Sequence, residues 1–240
     1  MLENIKIEDV LFLDIETVPV VEGFEALNPA MQTLWDKKSA YFRKEGESAQ
    51  EVFERAGIYA EFGKIVCISV GMVFYRHGKR CFRVKSFASD DERALLIDFG
   101  NMLTAFASDA NRNVCGHNIK EFDIPYIARR MLVKGVRLPD MLNIAGKKPW
   151  EVKFLDTLEL WKFGDYKHYT SLNLLTTIFD IPSPKDDIDG SEVAMVYYKE
   201  RDLPRIAVYC EKDVLATAQL FLRYKGEPLI DADAVERASS

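Results

Sequence analysis

Apolar and polar positions alternate along the chain with two different periods, and segments with the shorter period are candidate strands. Five runs have the length and apolar content of strands, namely Val10–Leu13, Lys64–Tyr75, Arg80–Ala88, Asn113–Cys115 and Val152–Leu155. The second and third runs are joined by a short segment that contains Gly78, which predicts a tight turn and therefore a hairpin. The first run ends in acidic residues and is typical of a buried strand.

Helical periodicity marks the segments between and after these runs. Ser89 and Glu92 form a capping-box pattern, which predicts a helix that continues to Phe106. A proline in the first turn predicts a second helix from about Ile124 to Gly135. Three later helices are predicted over Ser171–Phe179, Ser191–Lys199 and Leu203–Tyr224.

The order of these elements predicts the fold class and the domain organisation. Residues 20–63 separate the first two strands and are helical in character, so we interpret them as a helical insertion. A hairpin followed by alternating strands and helices predicts an α/β fold, with a mixed sheet flanked by helices. Since no repeat or linker interrupts the pattern, we expect a single domain over residues 1–240, with a polar tail at 225–240 that frays.

The composition is that of a soluble protein with a sizeable core, because 48% of the residues are hydrophobic and 29% are charged. The longest apolar run, Ile65–Phe74, is far below the roughly 20 residues of a membrane helix, and the first residues lack a signal-peptide pattern. We therefore expect no membrane association. The net charge of −6 disfavours a protein that wraps nucleic acid by bulk basicity, but leaves open one that grips a short strand end.

The cysteines carry little information about function at this level. Cys67, Cys81, Cys115 and Cys210 form no CxxC pair and do not cluster with histidine, so the sequence disfavours a zinc site. Three of the four lie within apolar stretches. We expect reduced thiols in the core, which fits a cytoplasmic protein.

Two carboxylates follow the first apolar run. Asp14 and Glu16 are two residues apart, so on a strand their side chains project from one face while Ile15 turns to the other. Paired carboxylates at the end of a buried strand repel each other unless a positive charge is bound there. Taken alone, such a pair is more often a strand end that meets solvent.

Three more polar side chains occur where they could reach the same sheet edge. Asp123 follows a strand and opens a helix, where an aspartate is usually a cap. Tyr209 and Asp213 are four apart and share a face of the last helix, a spacing that is also common by chance. In combination, these oxygen ligands suit Mg²⁺ or Mn²⁺, and two such ions can clamp the attacking and leaving oxygens of a phosphodiester.

The order and spacing of these residues resemble the DEDD superfamily of 3′→5′ exonucleases. Its signatures are D-x-E, then N-x₂₋₃-(F/Y)-D, then Y-x₃-D or H-x₃-D. They correspond here to Asp14 and Glu16, to Asn118, Phe122 and Asp123, and to Tyr209 and Asp213. The tyrosine is typical of the DEDDy branch. Over roughly residues 8 to 224, including Lys185–Glu192, the chain looks most similar to stand-alone proteins related to the proofreading exonuclease domain of family-B DNA polymerases.

This resemblance implies a ribonuclease H-like fold with a mixed central sheet of about five strands. It implies that two Mg²⁺ or Mn²⁺ ions are bound by Asp14, Glu16, Asp123 and Asp213. Tyr209 would position the attacking water. The residues expected to contact the last nucleotides are Thr17, Val18, Asn118 and Phe122.

The leading hypothesis is a metal-dependent 3′→5′ exonuclease for single-stranded DNA or RNA with a free 3′ end, releasing nucleoside 5′-monophosphates. Two alternatives stay open, namely a nucleic-acid-binding module with weak catalysis and a metal phosphoesterase acting on small substrates. The presence of all five signature residues counts against the first alternative. Glu16 counts against an aspartyl-phosphate phosphatase, which would have D-x-D at the first strand.

Several other residues are weaker candidates for substrate contact. Trp161 and Phe163 could stack on bases, and basic residues within 120–137 could follow a phosphate backbone. Core packing and a solvated helix face explain them as well. Asp156 and His117 are expected to be structural. From its position after the first acidic pair, we expect the insertion to border the substrate cleft.

Overall fold

A mixed sheet forms the centre of the molecule. The computed structural model describes residues 2–165, 169–182 and 188–238. Its strands are β1 (Val10–Pro19), β2 (Gly63–Arg76), β3 (Lys79–Ala88), β4 (Asn113–Gly116), β5 (Phe154–Asp156) and β6 (Val235–Arg237). Within these ranges the sheet has six strands in the order β5-β4-β1-β2-β3-β6. β1 pairs antiparallel with β2 and parallel with β4, so β1 lies in the interior of the sheet.

Helices cover both faces of this sheet. They are α1 (Pro29–Ser39), α2 (Glu92–Phe106), α3 (Asp123–Val133), α4 (Thr157–Lys162), α5 (Leu172–Ile178), α6 (Val193–Met195) and α7 (Leu203–Lys225). A π-helical turn, Val196–Glu200, follows α6 directly. Among the described helices, none combines the length and the apolarity that crossing a membrane requires.

The alternation of side chains along β1 divides the core into two layers. Leu11 and Leu13 pack with the helices α2 and α3 on one face. Val10 and Phe12 pack with α7 on the other. Because side chains on a strand alternate, the even-numbered positions that follow Phe12 also face α7. The prediction of an α/β fold with a mixed sheet is confirmed.

The hairpin and most helix boundaries agree with the sequence pattern, but the start of α2 does not. Asp91, not Ser89, is the N-cap of α2, because its carboxylate accepts hydrogen bonds from the backbone N–H groups of Arg93 and Ala94. Glu92 is buried instead of closing a capping box. The capping-box prediction was wrong because Glu92 has a stronger, charged partner on α3.

The C-terminal segment is ordered through residue 238, which contradicts the prediction that it frays. β6 pairs in parallel with β3 and adds a sixth strand to the five expected. The backbone carbonyl and N–H of Ile230 form hydrogen bonds of 2.8 Å with the side chain of Gln219 on α7. Glu236 forms ion pairs with Arg76 and Arg83. These contacts fix the segment to the edge of the sheet.

The insertion at residues 20–63 forms its own small core. Its one α-helix in the described chain is α1, with short 3₁₀ turns around it, so the helical prediction was only partly correct. Trp35 is fully buried, and its indole N–H donates to the carbonyl of Ala49 at 2.8 Å. Tyr126 on α3 donates to the Gly57 carbonyl at 2.7 Å, which ties the insertion to the main domain.

Candidate active site

Strand β1 brings the first two carboxylates together. Ile15 is 5% exposed and packs in the core beneath α2 and α3, whereas Asp14 and Glu16 face the other side. A ligand oxygen of each carboxylate and the sulfur of Cys210 on α7 all lie within 4.8 Å of one another. The pairing register with β2 then shifts between Glu16 and Thr17, because β2 has one extra residue there, Val66. The predicted side-by-side geometry of the pair is confirmed.

Helix α7 supplies the opposite wall. Its N-terminus is set by Asp202, whose carboxylate accepts the backbone N–H of Arg205 at 3.0 Å. The Tyr209 hydroxyl is hydrogen-bonded to the Asp213 carboxylate one turn later. These two side chains therefore share one helix face, as the spacing predicted, and that face is turned toward β1.

The fourth carboxylate comes from the start of α3. Asp123 is 3% exposed, and its carboxylate is hydrogen-bonded to the backbone N–H of Ile15 on β1. Phe122, not Asp123, is the N-cap residue of α3. The alternative in which Asp123 acts as an ordinary helix cap is therefore replaced by a contact that points its carboxylate at β1.

A buried aspartate holds the loop that precedes α3. Asp156 is 4% exposed, and its carboxylate accepts the backbone N–H groups of Asn118 at 2.9 Å and Lys120 at 3.2 Å. The same carboxylate accepts the N–H of Leu158 at 2.9 Å and so caps α4. Asn118 itself is in the left-handed region, with φ of 63°. Asp156 thus has the structural role that was expected, and it fixes the backbone next to Phe122.

His117 is likewise held by hydrogen bonds. Its Nδ1 lies 2.9 Å from the Thr157 hydroxyl, and its Nε2 lies 2.9 Å from the Thr170 carbonyl. Burial lowers the pKa of the imidazole below its ordinary value, which favours the neutral ring. The expectation of a structural histidine agrees with these contacts. His168, for which the sequence favours a structural role in the same way, lies outside the described residues.

An open cleft of about 530 Å³ gives access to these groups. Its lining includes Asp14, Asn118, Phe122, Asp123, Tyr169, Ser171, Asp189, Tyr209 and Asp213. Glu16 lies deeper and is 7% exposed. Among the described residues, none of 20–63 lines this cleft, and the expectation that the insertion borders the bound substrate stays a prediction.

Two of the residues predicted to contact substrate, Thr17 and Val18, do not line the cleft. Val18 is 0% exposed and packs in a core cluster with Val193 and Ile206, so its side chain cannot meet a nucleotide. The Thr17 hydroxyl is hydrogen-bonded to Tyr126 on the α3 side of the sheet. Thr17 and Val18 keep the alternation of β1, since the extra residue at the register shift, Val66, belongs to β2.

Several of the weaker candidates are also accounted for by packing. Trp161 stacks with Tyr224, with ring centroids 6.3 Å apart, and belongs to a core cluster. Phe163 is the exception, because it is 81% exposed and core packing does not account for it. Arg130 is 3% exposed and forms an ion pair with Glu92, so it cannot follow a phosphate backbone.

Cys210 and Tyr169 belong to the site but were not identified from the sequence. The Cys210 thiol donates to the Asp14 carboxylate at 3.4 Å. Tyr169 is 65% exposed, lines the cleft, and places its ring 6.2 Å from that of His117. Adjacent helical residues point in different directions, so the position of Cys210 next to Tyr209 gave no indication of a shared site.

The electrostatics of the cluster favour a bound cation. Burial first, and then the charges of neighbouring carboxylates, raise the pKa values of Asp14 and Glu16 well above their ordinary values. Burial also raises the pKa of Asp123 to about 7. Among the described residues, no side chain or backbone group donates a hydrogen bond to Glu16. Carboxylates that repel one another, among which Glu16 receives no hydrogen bond from the described residues, fit a divalent ion such as Mg²⁺ or Mn²⁺.

This repulsion predicts a stability that depends on pH and on metal. A carboxyl whose pKa is higher in the folded than in the unfolded state stabilises the fold at low pH, and this contribution is lost as pH rises through the folded value. For Asp123, this loss occurs over the pH range between its ordinary pKa of 3.8 and its raised pKa of about 7. We expect the rise in melting temperature on adding Mn²⁺ to be absent near the lower limit and largest above the upper one. Thermal melts in EDTA and in Mn²⁺ across this range measure it, and an increment independent of pH would contradict it.

The fold and the acidic cluster together define a ribonuclease H-like protein of the exonuclease class. A family model described as a predicted 3′-5′ exonuclease related to the exonuclease domain of PolB matches residues 58–232, and the chain belongs to this family. The matched region includes Asp123, Tyr209 and Asp213, but it begins after Asp14 and Glu16, which β1 brings to the same place. A comparison with curated proteins finds no match.

Proposed function

We propose that this protein is a metal-dependent 3′→5′ exonuclease that removes nucleoside 5′-monophosphates from the free 3′ end of single-stranded DNA or RNA. The observation that carries the proposal is the convergence of three sequence-distant acidic motifs, from β1, α3 and α7, on one open cleft. The family match, which rests on a region that excludes β1, supports the same activity.

In this proposal, the carboxylates are the metal ligands. Two divalent ions would be held by Asp14, Glu16, Asp123 and Asp213. Mg²⁺ or Mn²⁺, when bound, supplies the positive charge that activates water and stabilises the phosphodiester oxygens in the transition state. The hydrogen bond from the Ile15 backbone to Asp123 fixes the orientation of that carboxylate relative to β1 before any ion is bound.

Tyr209 orients the attacking water and does not act as a base. Burial, followed by the charges of Asp213 and Glu16, raises the pKa of the phenol above its ordinary value, so the hydroxyl keeps its proton at neutral pH. A neutral hydroxyl that already donates its proton to the Asp213 carboxylate can accept one further hydrogen bond, from a water in the cleft. This fixes the position of the nucleophile relative to the carboxylates.

The substrate end enters beside the loop before α3. Phe122 is half-buried, lines the cleft and packs against Tyr126, with ring centroids 5.5 Å apart. Its exposed edge offers a surface for a terminal base, while Asn118 places an amide at the same wall. A single strand reaches this recess more readily than a duplex, because the last nucleotide must leave the stack to contact the carboxylates.

Oligonucleotide digestion tests the proposal. DNA and RNA single strands of one sequence, labelled at the 5′ end, are incubated with the protein in Mg²⁺, Mn²⁺ or EDTA. We expect a metal-dependent ladder that shortens from the 3′ end and stops when that end is blocked. Strand binding without cleavage would support the binding module instead, and turnover of small phosphate esters alone would support the phosphoesterase.

Removing only the Tyr209 hydroxyl is expected to slow cleavage by about 10²-fold, the typical cost of misplacing a reacting group. Tyr209→Phe should lower kcat and leave Mn²⁺ affinity nearly unchanged, since the four carboxylates remain. Tyr224→Phe is the matched control on the same helix, because its hydroxyl has no hydrogen-bond partner among the described residues. Equal effects of the two substitutions would contradict the role of Tyr209.

Substituting Asp156 is expected to slow cleavage, although its carboxylate acts only through the backbone that it holds. Asp156→Ala releases the backbone of Asn118 and Lys120, and we expect kcat to fall between about 10- and 100-fold, as for other supporting residues. Glu159→Ala, which removes an exposed partner of Lys120, is the control. Single-turnover rates on protein whose fold is verified by circular dichroism separate loss of positioning from loss of structure. An unchanged rate for Asp156→Ala would contradict this role.

A further inference from the structure

A thiol that the proposed reaction does not use lies against the acidic cluster. Cys210 is fully buried, and its sulfur is 3.4 Å from the Asp14 carboxylate and 3.5 Å from the Asp14 backbone carbonyl. It belongs to the three-donor group whose ligand atoms, from Asp14, Glu16 and Cys210, all lie within 4.8 Å of one another. The cluster is therefore not made of oxygen ligands alone.

A second observation points to a ligand at this same position. Glu16 is 7% exposed, and within the described chain it receives no hydrogen bond and forms no ion pair. A carboxylate buried to this extent is normally compensated by hydrogen bonds, an ion pair or a metal. Its oxygen is turned toward Asp14 and Cys210, so the missing partner must lie among these three side chains.

The spacing of the donors fits a thiophilic ion. Zinc binds sulfur at about 2.3 Å and carboxylate oxygen at about 2.0–2.2 Å in tetrahedral geometry, which places sulfur and oxygen about 3.5 Å apart. The observed separation between the Cys210 sulfur and the Asp14 oxygen is 3.4 Å. An ion between these two atoms and Glu16 would thus need little movement of the backbone, and the thiol proton would pass to solvent on binding.

Hard and soft ions would use the site differently. Mg²⁺ prefers oxygen ligands and leaves a thiol protonated, whereas zinc binds thiolate well and binds most sites more tightly than Mn²⁺ does. The pattern of cysteines along the chain disfavoured zinc, because Cys210 has no sequence neighbour that could complete a zinc site. The partners come instead from β1, which the fold places against α7.

We propose that Asp14, Glu16 and Cys210 form a binding site for a thiophilic divalent ion of the zinc class, and that its occupation inhibits the enzyme. The inhibition rests on the proposed function, since an ion drawn toward the sulfur occupies the carboxylates that the catalytic ions need. Binding itself does not depend on that function. The same pocket therefore distinguishes activating from inhibiting metals by whether Cys210 is a ligand.

X-ray absorption on the zinc-loaded wild-type protein tests the coordination without any substitution. We expect one sulfur neighbour at about 2.3 Å together with oxygen neighbours at about 2.0–2.2 Å. A shell of oxygen and nitrogen alone would overturn the proposal. Because the measurement uses the intact chain, it stays decisive even if a cysteine variant fails to fold.

Cadmium binding to cysteine variants identifies the residue that supplies the sulfur ligand. We expect Cd²⁺ to bind with an ultraviolet sulfur-to-cadmium charge-transfer band that is lost in Cys210→Ser, together with an affinity loss of more than about 10-fold. Cys81→Ser is the matched control, because Cys81 is buried on β3, where its thiol donates to the Lys79 carbonyl. Cys67→Ser tests the one thiol hydrogen-bonded to Cys210. A band that survives in Cys210→Ser, or that is lost only in Cys67→Ser, would overturn the assignment.

Inhibition is measured separately from binding. For each variant, the zinc concentration that halves its own Mg²⁺-supported cleavage is determined, and for Cys210→Ser we expect it to rise more than about 10-fold. An unchanged value would overturn the inhibitory role. If the wild-type protein cleaves no oligonucleotide but gives the zinc–sulfur signal, the proposed function fails while the binding site stands. If the wild-type protein cleaves oligonucleotides but gives no zinc–sulfur signal, the binding site fails while the proposed function stands.

Discussion

Replacing Asp14 by asparagine is expected to abolish cleavage while making the metal-free protein more stable. Asp14 contributes a carboxylate whose neighbours, Asp123 and Asp213, raise its pKa after burial has done so. Asparagine keeps the shape and can still accept the hydrogen bond from the Cys210 thiol, but it carries no charge. Losing a metal ligand removes several kcal/mol of transition-state stabilisation, so we expect a fall in kcat of about 10³-fold or more.

Asp14→Asn is expected to lower activity but raise stability, because the charge of Asp14 is unfavourable without a cation. At neutral pH, the melting temperature of Asp14→Asn in EDTA should exceed that of the wild-type protein, and its rise on adding Mn²⁺ should be smaller. Asp98→Asn is the matched control, since Asp98 is exposed on α2. A variant that is less stable than wild type in EDTA would show that the carboxylate is compensated within the protein, contrary to our interpretation of the cluster.

Arg130→Ala is expected to cause the largest loss of stability, about 3 kcal/mol or more. Arg130 is bound to the Glu92 carboxylate by two hydrogen bonds, of 2.8 and 2.6 Å, and donates to the Ala60 carbonyl of the insertion at 2.8 Å. Glu92 also accepts the backbone N–H of Ile65 at 2.9 Å. One ion pair thus connects α2, α3, β2 and the insertion.

The cost arises because the substitution leaves Glu92 buried, with only Lys134 as a charged partner, at 3.3 Å. Urea unfolding measures the free energy of unfolding, and Arg129→Ala is the control on the adjacent, exposed position of α3. We expect the control to remain within about 0.5 kcal/mol of wild type. Similar losses for the two substitutions would show that the ion pair adds nothing beyond a surface contact.

Features that depend on local periodicity were predictable. The alternation along β1 correctly placed Asp14 and Glu16 on one face, and the four-residue spacing on α7 placed Tyr209 with Asp213. A strand and a helix each fix the direction of their side chains through backbone geometry alone. The hairpin followed in the same way, because His77 and Gly78 adopt the positive φ values of a two-residue turn.

Long-range packing and pairing were not predictable. Val18 was expected at the substrate but is buried, because residues of α6 and α7 pack over it. β6 has only three residues, and it exists because β3 offers an open edge and α7 fixes the preceding segment. Neither feature has a periodic pattern of its own.

The sequence by itself determined the fold class, the positions of most strands and helices, and the acidic residues that the motifs contain. Only the tertiary structure decided which of these side chains meet and what else joins them. Cys210 became a neighbour of Asp14 because α7 crosses β1, and Glu92 became the partner of Arg130 because α2 packs beside α3. Both contacts join residues far apart in the chain, and their energies come from burial and charge, which local sequence patterns do not record.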